Sequence, residues 1–229
     1  ILAFMNTQRD ATSGGYYTHV DSKTGIMDSN SIAVGAYCCI LGGRTDLARQ
    51  SCDLLLKLLA AQKDEGILWS RCRADGTLVT DLSDVPAKNH RYVRVSASEP
   101  EQAYWIWGWP MNELIAVYEL TEEKKYLDGA VRVFDFLASS HAHAFGFTTS
   151  GKNAWGAAKL YRLTGDRRYR DKAASQMQYI LDHQHRDGYM LGEGVKDESG
   201  QPKRTTFDFT ADFASWLIDV AAEFESRAG

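Results

Sequence analysis

Three stretches of the chain carry the same spacing of apolar side chains. "LGGRTDLARQSCDLLLKLLAAQKDEGILW" from Leu41, "LTEEKKYLDGAVRVFDFLASSHAHAFGF" from Leu120 and "LTGDRRYRDKAASQMQYILDHQHRDGYM" from Leu163 superpose without gaps. Leu47, Tyr126 and Tyr169 share one position, and Ser51, Ala130 and Ala173 the next. Leu55, Phe134 and Met177 follow, then Leu58, Leu137 and Ile180, and finally Leu68, Phe147 and Met190. The early steps of four, four and three are those of a helix that buries one stripe. Ser or Ala at the second shared position implies close approach by a neighbouring helix. A second helical run precedes each stretch: "NSIAVGAYCCIL", "EQAYWIWGWPMNELIAVYEL" and "GKNAWGAAKLYRL". A short turn joins the two, with Thr45, Thr121 and Asp166 as candidate N-caps.

The unit is therefore a helix, a turn, an antiparallel helix and a long loop. Such hairpins stack side by side into a solenoid or a ring. The runs before the short turns are richer in Gly, Ala and aromatics and are assigned to the inner layer. The pattern predicts inner helices over Ser31–Gly42, Gln102–Leu120, Lys152–Leu163 and Thr205–Glu223. It predicts outer helices over Asp46–Gln62, Glu122–Ser139 and Arg167–His183. That makes three hairpins and a last inner helix, for which the N-terminal "LAFMNTQR" is a candidate partner. The long loops then open on one rim. Strand–turn–strand signatures mark two of them, "GILWSRCRADGTLVTD" with Asp75–Gly76 at its tip and "GGYYTHVDSKTGIMDS". The fold class is all-α with short β-hairpins in the rim. No Pro/Gly/Ser-rich linker interrupts residues 1–229, which predicts a single domain.

A net charge of -4 without a basic cluster argues against nucleic acid or an anionic membrane as partner. No apolar run is long enough to span a bilayer, and "ILAFMNTQRD" does not read as a signal peptide. Cys38, Cys39, Cys52 and Cys72 form no CxxC pair, and adjacent cysteines in a helical pattern read as small core residues. A reducing, cytoplasmic setting is the expectation. The expected partner is a small molecule, and the oligomeric state is left open.

With this repeat the chain resembles the (α/α) toroid group. That group includes N-acylglucosamine 2-epimerase-like enzymes, uronyl C5-epimerases, unsaturated-uronyl hydrolases and terpenoid-cyclase toroids. The resemblance covers the whole chain as a pattern, with "GGYYTHVDSKTGIMDS" and "LYRLTGDRRYRDKA" as its best local matches. The chain has no Asp-x-Asp-Asp acid motif, no Asp-Asp-x-x-Asp magnesium motif and no Gln-Trp repeat. A full toroid of six or seven hairpins needs a longer chain, which leaves open a crescent, a small ring or a trimmed protein. The resemblance implies epimerisation of a sugar or uronic acid first, and hydrolysis or elimination second.

Asp208 and Asp212 lie four apart in "FDFTADFASWL", at the start of the last inner helix, where the helix dipole favours carboxylates. They read as an acid–base pair, or as a cap and a solvated neighbour. "KNHRYVRVSASEPEQAYWIWGWP" is the most unusual segment. In it His90 is a candidate proton shuttle, Arg94 a carboxylate clamp and Glu101 a mouth carboxylate. Asp28, from the first rim loop, completes the catalytic set. Tyr17, Trp69, Tyr92, Tyr104, Trp105, Trp107 and Trp155 are candidates to stack a sugar ring or an isoprenoid, or else pack as inner-helix core. His141, His143, His183, His185 and Asp187 invite a metal reading. Their place at the C-terminal ends of outer helices explains them without one. No P-loop, GxGxxG or serine elbow is present, so neither a metal nor a nucleotide cofactor is expected. The expectation is a cofactor-independent enzyme, an isomerase or epimerase or else a hydrolase. A cyclase of an apolar natural product and a non-catalytic ligand-binding solenoid are the alternatives.

Overall fold

The computed structural model describes residues 7–18, 25–189, 191–196, 202–204 and 207–228, with side chains described except at 191–196, 202–204, 207–209 and 228. Seven long helices appear among them. The inner ones are α1 (Ser29–Leu41), α3 (Trp105–Thr121), α5 (Gly151–Thr164) and α7 (Phe207–Ala228). The outer ones are α2 (Thr45–Ala60), α4 (Lys124–Ser139) and α6 (Arg167–Asp182). Each inner helix packs on the outer helix that follows it, and consecutive inner helices pack on one another. The helix boundaries fall within three residues of the predicted ones, except that α7 runs on from Glu223 to Ala228.

The repeat explains the packing. Tyr126, Tyr169, Ser51, Ala130, Ala173, Leu55, Phe134, Met177, Leu58, Leu137, Ile180 and Leu68 are all buried. Leu47 and Phe147 are half-buried, and Met190 lies outside the described residues. Phe134 meets Tyr169 edge-on at 4.5 Å, which joins α4 to α6. Two of the three capping expectations fail. Arg44 and Glu123 hold the N-cap positions of α2 and α4, with no side-chain cap bond. Thr121 instead ends α3, its Oγ1 donating to the Val117 carbonyl. Asp166 does cap α6, accepting from the Arg168 N–H.

Among the described residues, the loops ahead of the inner helices carry paired short strands, β1 (Met27–Asp28) with β3 (Arg71–Cys72), β2 (Ile67–Trp69) with β4 (Arg94–Ser96), and β5 (Leu191–Lys196) with β6 (Pro202–Arg204), and short 3-10 turns at Ala87–Tyr92, Ala142–Ala144 and Thr148–Ser150. The Asp75–Gly76 hairpin forms as the sequence predicts. Arg73 N–H donates to the Thr77 carbonyl at 2.9 Å, and Gly76 takes φ +90°, which a side chain would disfavour. Tyr17 pairs with Met27 across the first rim loop. The proposed N-terminal partner helix lies outside the described residues except for its end. No described helix is long and apolar enough to cross a membrane.

Candidate active site

The inner helices are apolar on most faces, so their few polar side chains have to be explained one by one. On α3, Trp105, Trp109 and Glu113 stand one turn apart in succession and share a face. On α5 the same holds for Lys152, Trp155 and Lys159, and on α7 for Asp212, Trp216 and Asp219. These three stripes meet. Trp109 packs edge-on against Trp155 at 6.4 Å and tilted against Tyr37 of α1 at 5.8 Å. The Lys152 ammonium lies 4.2 Å from the ring centre of Trp216, 5.4 Å from Trp105 and 5.7 Å from Trp109. One residue earlier Gly151 makes this possible, because a Cβ there would strike the Trp216 ring.

Burial sets the electrostatics of this cleft. It lowers the Lys152 amine to about 8, against the opposing charge of Asp212. Deeper in, Glu113 is 1% exposed, one of its carboxyl oxygens has no partner among the described residues, and burial raises it to about 8. Lys159 beside it is lowered by burial and lies 3.7 Å over the Trp155 ring. At the far end Arg162 of α5 pairs with Glu119 of α3 and Glu223 of α7, while Arg227 donates to the Arg162 carbonyl at 2.7 Å. The cleft is thus floored by charge and open at the N-terminal ends of the helices.

Beside that opening lies a cavity of about 350 Å³, lined by Asp28, Asn30, Ser70, Arg71, Asp84, Tyr92 and Ile106 among others. Asp28 caps α1, accepting from the Ser31 N–H at 2.7 Å and the Ser31 hydroxyl at 3.0 Å. Burial nevertheless raises its carboxyl, outweighing those two bonds and the Arg71 charge. Arg71 grips Asp84 through two hydrogen bonds of 3.0 and 2.7 Å, which fastens the 81–92 loop over the cavity. The buried Asn30 Oδ1 and Ser29 Oγ have no partner among the described residues. Pro110, inside α3, supplies no N–H to the Ile106 carbonyl one turn back. Tyr92 connects cavity and cleft, meeting Trp105 edge-on at 6.3 Å.

The sequence-predicted residues divide accordingly. Asp28 and Tyr92 line the cavity, while Trp105, Trp155 and Asp212 belong to the cleft. Asp208 lies in the first turn of α7, with its side chain outside the described residues. Trp107 and Tyr104 have to be corrected. At 0% and 1% exposure they are core, and the Tyr104 hydroxyl is spent on the Ser96 and Glu99 carbonyls at 2.9 and 2.6 Å. His90 bonds the Val85 carbonyl through Nε2 at 2.9 Å, which makes it a fastener of the loop. Arg94 is paired with Glu99 at 3.2 Å, and Glu101 is exposed at φ +56°, its N–H on His143 Nδ1. Tyr17 donates to Asp10 at 3.1 Å, and Trp69 is half-buried in β2. Sequence reasoning passed over Lys152, Lys159, Glu113 and Asp219. Among the described residues no group of three or more His, Cys, Asp and Glu side chains is arranged to hold a metal, and the four cysteines are free thiols.

Stacked helical hairpins, with a tryptophan-walled cleft opening at the N-terminal ends of the inner helices, define an (α/α) toroid. The chain belongs to the beta-L-arabinofuranosidase, GH127 catalytic domain family, whose model matches residues 31–220. No curated protein matches it. Among solved structures it is similar to a D-mannose isomerase, at 12% identity and TM-score 0.66, over 96% of this chain and 64% of that one. A possible GH105 member from Salmonella enterica aligns at 13% identity and TM-score 0.64, over 98% of this chain and 64% of that one. Cellobiose 2-epimerase from Bacillus thermoamylovorans aligns at 13% identity and TM-score 0.59, over 99% and 69%. The chain therefore spans about two-thirds of the length of these structures.

Proposed function

We propose that this chain forms the catalytic cleft of a carbohydrate-processing enzyme that hydrolyses a glycosidic bond, with a terminal β-L-arabinofuranosyl or related pentosyl unit as the sugar released. The observation that carries this reading is the family match across 31–220, which runs from α1 into α7 and takes in Trp105, Lys152 and Asp212 of the cleft, with Asp28 of the cavity three residues ahead of its start. Glycoside hydrolysis needs one carboxyl that holds its proton at working pH and one that stays charged. Asp28, half-buried and raised, suits the proton donor to the leaving oxygen. Asp212, exposed at the mouth beside Lys152, suits the charged partner. Trp105, Trp109 and Trp216 offer ring faces on which a sugar can stack.

Isomerisation or epimerisation of a reducing sugar is the second reading, and it rests on the similarity to the isomerase and epimerase structures. It would use the same carboxylates to move a proton on carbon. Nothing in the comparisons favours a cyclase of an apolar natural product. The test is hydrolysis of p-nitrophenyl β-L-arabinofuranoside alongside chromatography of mannose and cellobiose after incubation. Asp28→Asn keeps the cap, because Asn caps as well as Asp. It should cut aryl-glycoside hydrolysis about a hundredfold with little change in Tm. Conversion of the reducing sugars without hydrolysis would transfer the assignment to an isomerase, and neither activity would end the reading.

A further inference from the structure

Two asparagines line the cavity beside Asp28, and neither amide has a task in the fold. Asn30, in the first turn of α1, makes no side-chain hydrogen bond among the described residues, and its Oδ1 is buried without a partner. An unpaired buried acceptor costs stability, so the fold gains when an occupant of the cavity donates to it. Asn89, half-buried on the loop that covers the cavity, likewise makes no side-chain hydrogen bond among the described residues. Its loop is pinned at both ends. Arg71 grips Asp84 through two hydrogen bonds, and the Ser70 hydroxyl donates to the Tyr92 carbonyl at 2.8 Å. Arg71 is the cation among the described lining residues, and Asp84 has taken its guanidinium. The cavity therefore offers neutral amides and no free positive charge. At about 350 Å³ it lies near the lower end of the range for small-molecule sites, roughly 300–1,000 Å³, which suits one sugar ring rather than a chain.

We propose that this cavity seats the sugar unit next to the terminal one, so that the departing half of the substrate is a neutral sugar alcohol read by Asn30 and Asn89. An amide carries donors and an acceptor, and a sugar hydroxyl both donates and accepts, so the two match without net charge. The placement follows from the proton. This inference rests on the reading of Asp28 as proton donor to the leaving oxygen, and that oxygen belongs to the departing half. What surrounds Asp28 is therefore the seat of the leaving group, while the terminal unit stacks in the tryptophan cleft. Tyr92 lines the cavity and meets Trp105 edge-on at 6.3 Å, which puts it where the two seats join. The inference adds no step to the reaction. It names the alcohol that the reaction releases.

The experiment compares hydrolysis of a β-L-arabinofuranosyl disaccharide with that of methyl β-L-arabinofuranoside, following loss of each substrate by chromatography. The methyl group leaves from the same kind of bond but is too small to use either amide. The wild type should favour the disaccharide about tenfold or more in kcat/KM. Asn30→Ala should cut that preference about fivefold, and Asn89→Ala likewise. Asn89→Ala, on a surface loop, carries the test if Asn30→Ala folds poorly. Binding is measured separately, by calorimetry on the Asp28→Asn protein, which should hold the disaccharide with little cleavage. There the second sugar unit should tighten binding about tenfold over arabinose alone, and adding Asn30→Ala should remove most of that gain. No preference in the wild type, or one that survives both alanine variants, overturns the inference and leaves hydrolysis of the terminal unit standing. Amide-dependent binding of the second unit, with no turnover of either glycoside, upholds the seat and ends the hydrolase reading.

Discussion

The outer and inner layers treat charge in opposite ways. On the outer helices, charged side chains are half-exposed and paired on the surface, as with Arg168 and Asp135 at 2.7 Å or Lys125 and Asp53 at 2.7 Å. Such pairs contribute little to stability, because water already solvates both partners. On the inner helices Glu113 and Lys159 are 1% and 8% exposed and sit among tryptophans and alanines. No surface-solubility argument explains them there, and each costs stability through lost hydration. The outer layer fastens hairpins by an apolar stripe, and the inner layer gives up some stability to keep ionisable groups buried between helices.

The sharpest way to break the comparison is to damage the part of the inner layer that is only structural. Trp107→Ala empties a fully buried site and should cost about 3–5 kcal/mol, read as a fall in Tm and in the urea midpoint. If that cost were below about 1 kcal/mol, Trp107 would not be core. Asp212→Asn acts on function instead. Hydrolysis should drop about a hundredfold, equivalent to about 2.7 kcal/mol, while thermal unfolding barely moves. Unchanged turnover would leave Asp212 as a solvated mouth residue.

Glu113 tests the buried charge through pH. Its folded value of about 8 lies above the ordinary 4.5, so the folded state holds the proton more tightly than the unfolded chain. Its stabilising contribution is therefore full below pH 4.5 and is lost as the pH rises through about 8. Glu113→Gln removes that dependence. Against the variant, the wild type should lose up to about 1.4 kcal/mol per pH unit between pH 5 and 8, measured by urea unfolding. Parallel curves for the two proteins would mean that Glu113 is not the group responsible. The smallest effect belongs to the outer layer. Lys125→Ala should cost below about 1 kcal/mol, and less in high salt.

The outer layer was readable from the sequence because one wet and one dry face impose a 3.6-residue phase, and Leu55, Phe134 and Met177 keep it. The inner layer was readable in extent but not in orientation. A helix that is apolar nearly all round carries no phase, so Trp105 and Trp107 looked alike, although one faces the cleft and the other the core. The signal was present in the polar residues. Glu113 continues the Trp105–Trp109 spacing, and Lys159 that of Lys152–Trp155, but a lone charge in an apolar run reads as a solvated one. The cavity was harder still. It depends on Arg71 closing onto Asp84, thirteen residues along, and local periodicity cannot specify such a contact. Asp28 reaches the cavity because it ends a rim loop, which the sequence marks, whereas the Val85 bond of His90 is set by the fold of its loop, which the sequence does not.

The Glu119–Arg162–Glu223 bridge joins the C-terminal ends of three inner helices. It stoppers the described inner-helix layer at that end. A saccharide chain entering from the N-terminal ends of these helices could not pass the bridge, so only a terminal unit would reach the bottom. Bond cleavage at such a site would trim chains from their ends, leaving the interior of a polymer untouched. The detached unit would also have to leave by the route through which the next chain end arrives. Accumulated product would then stand directly in the way of substrate.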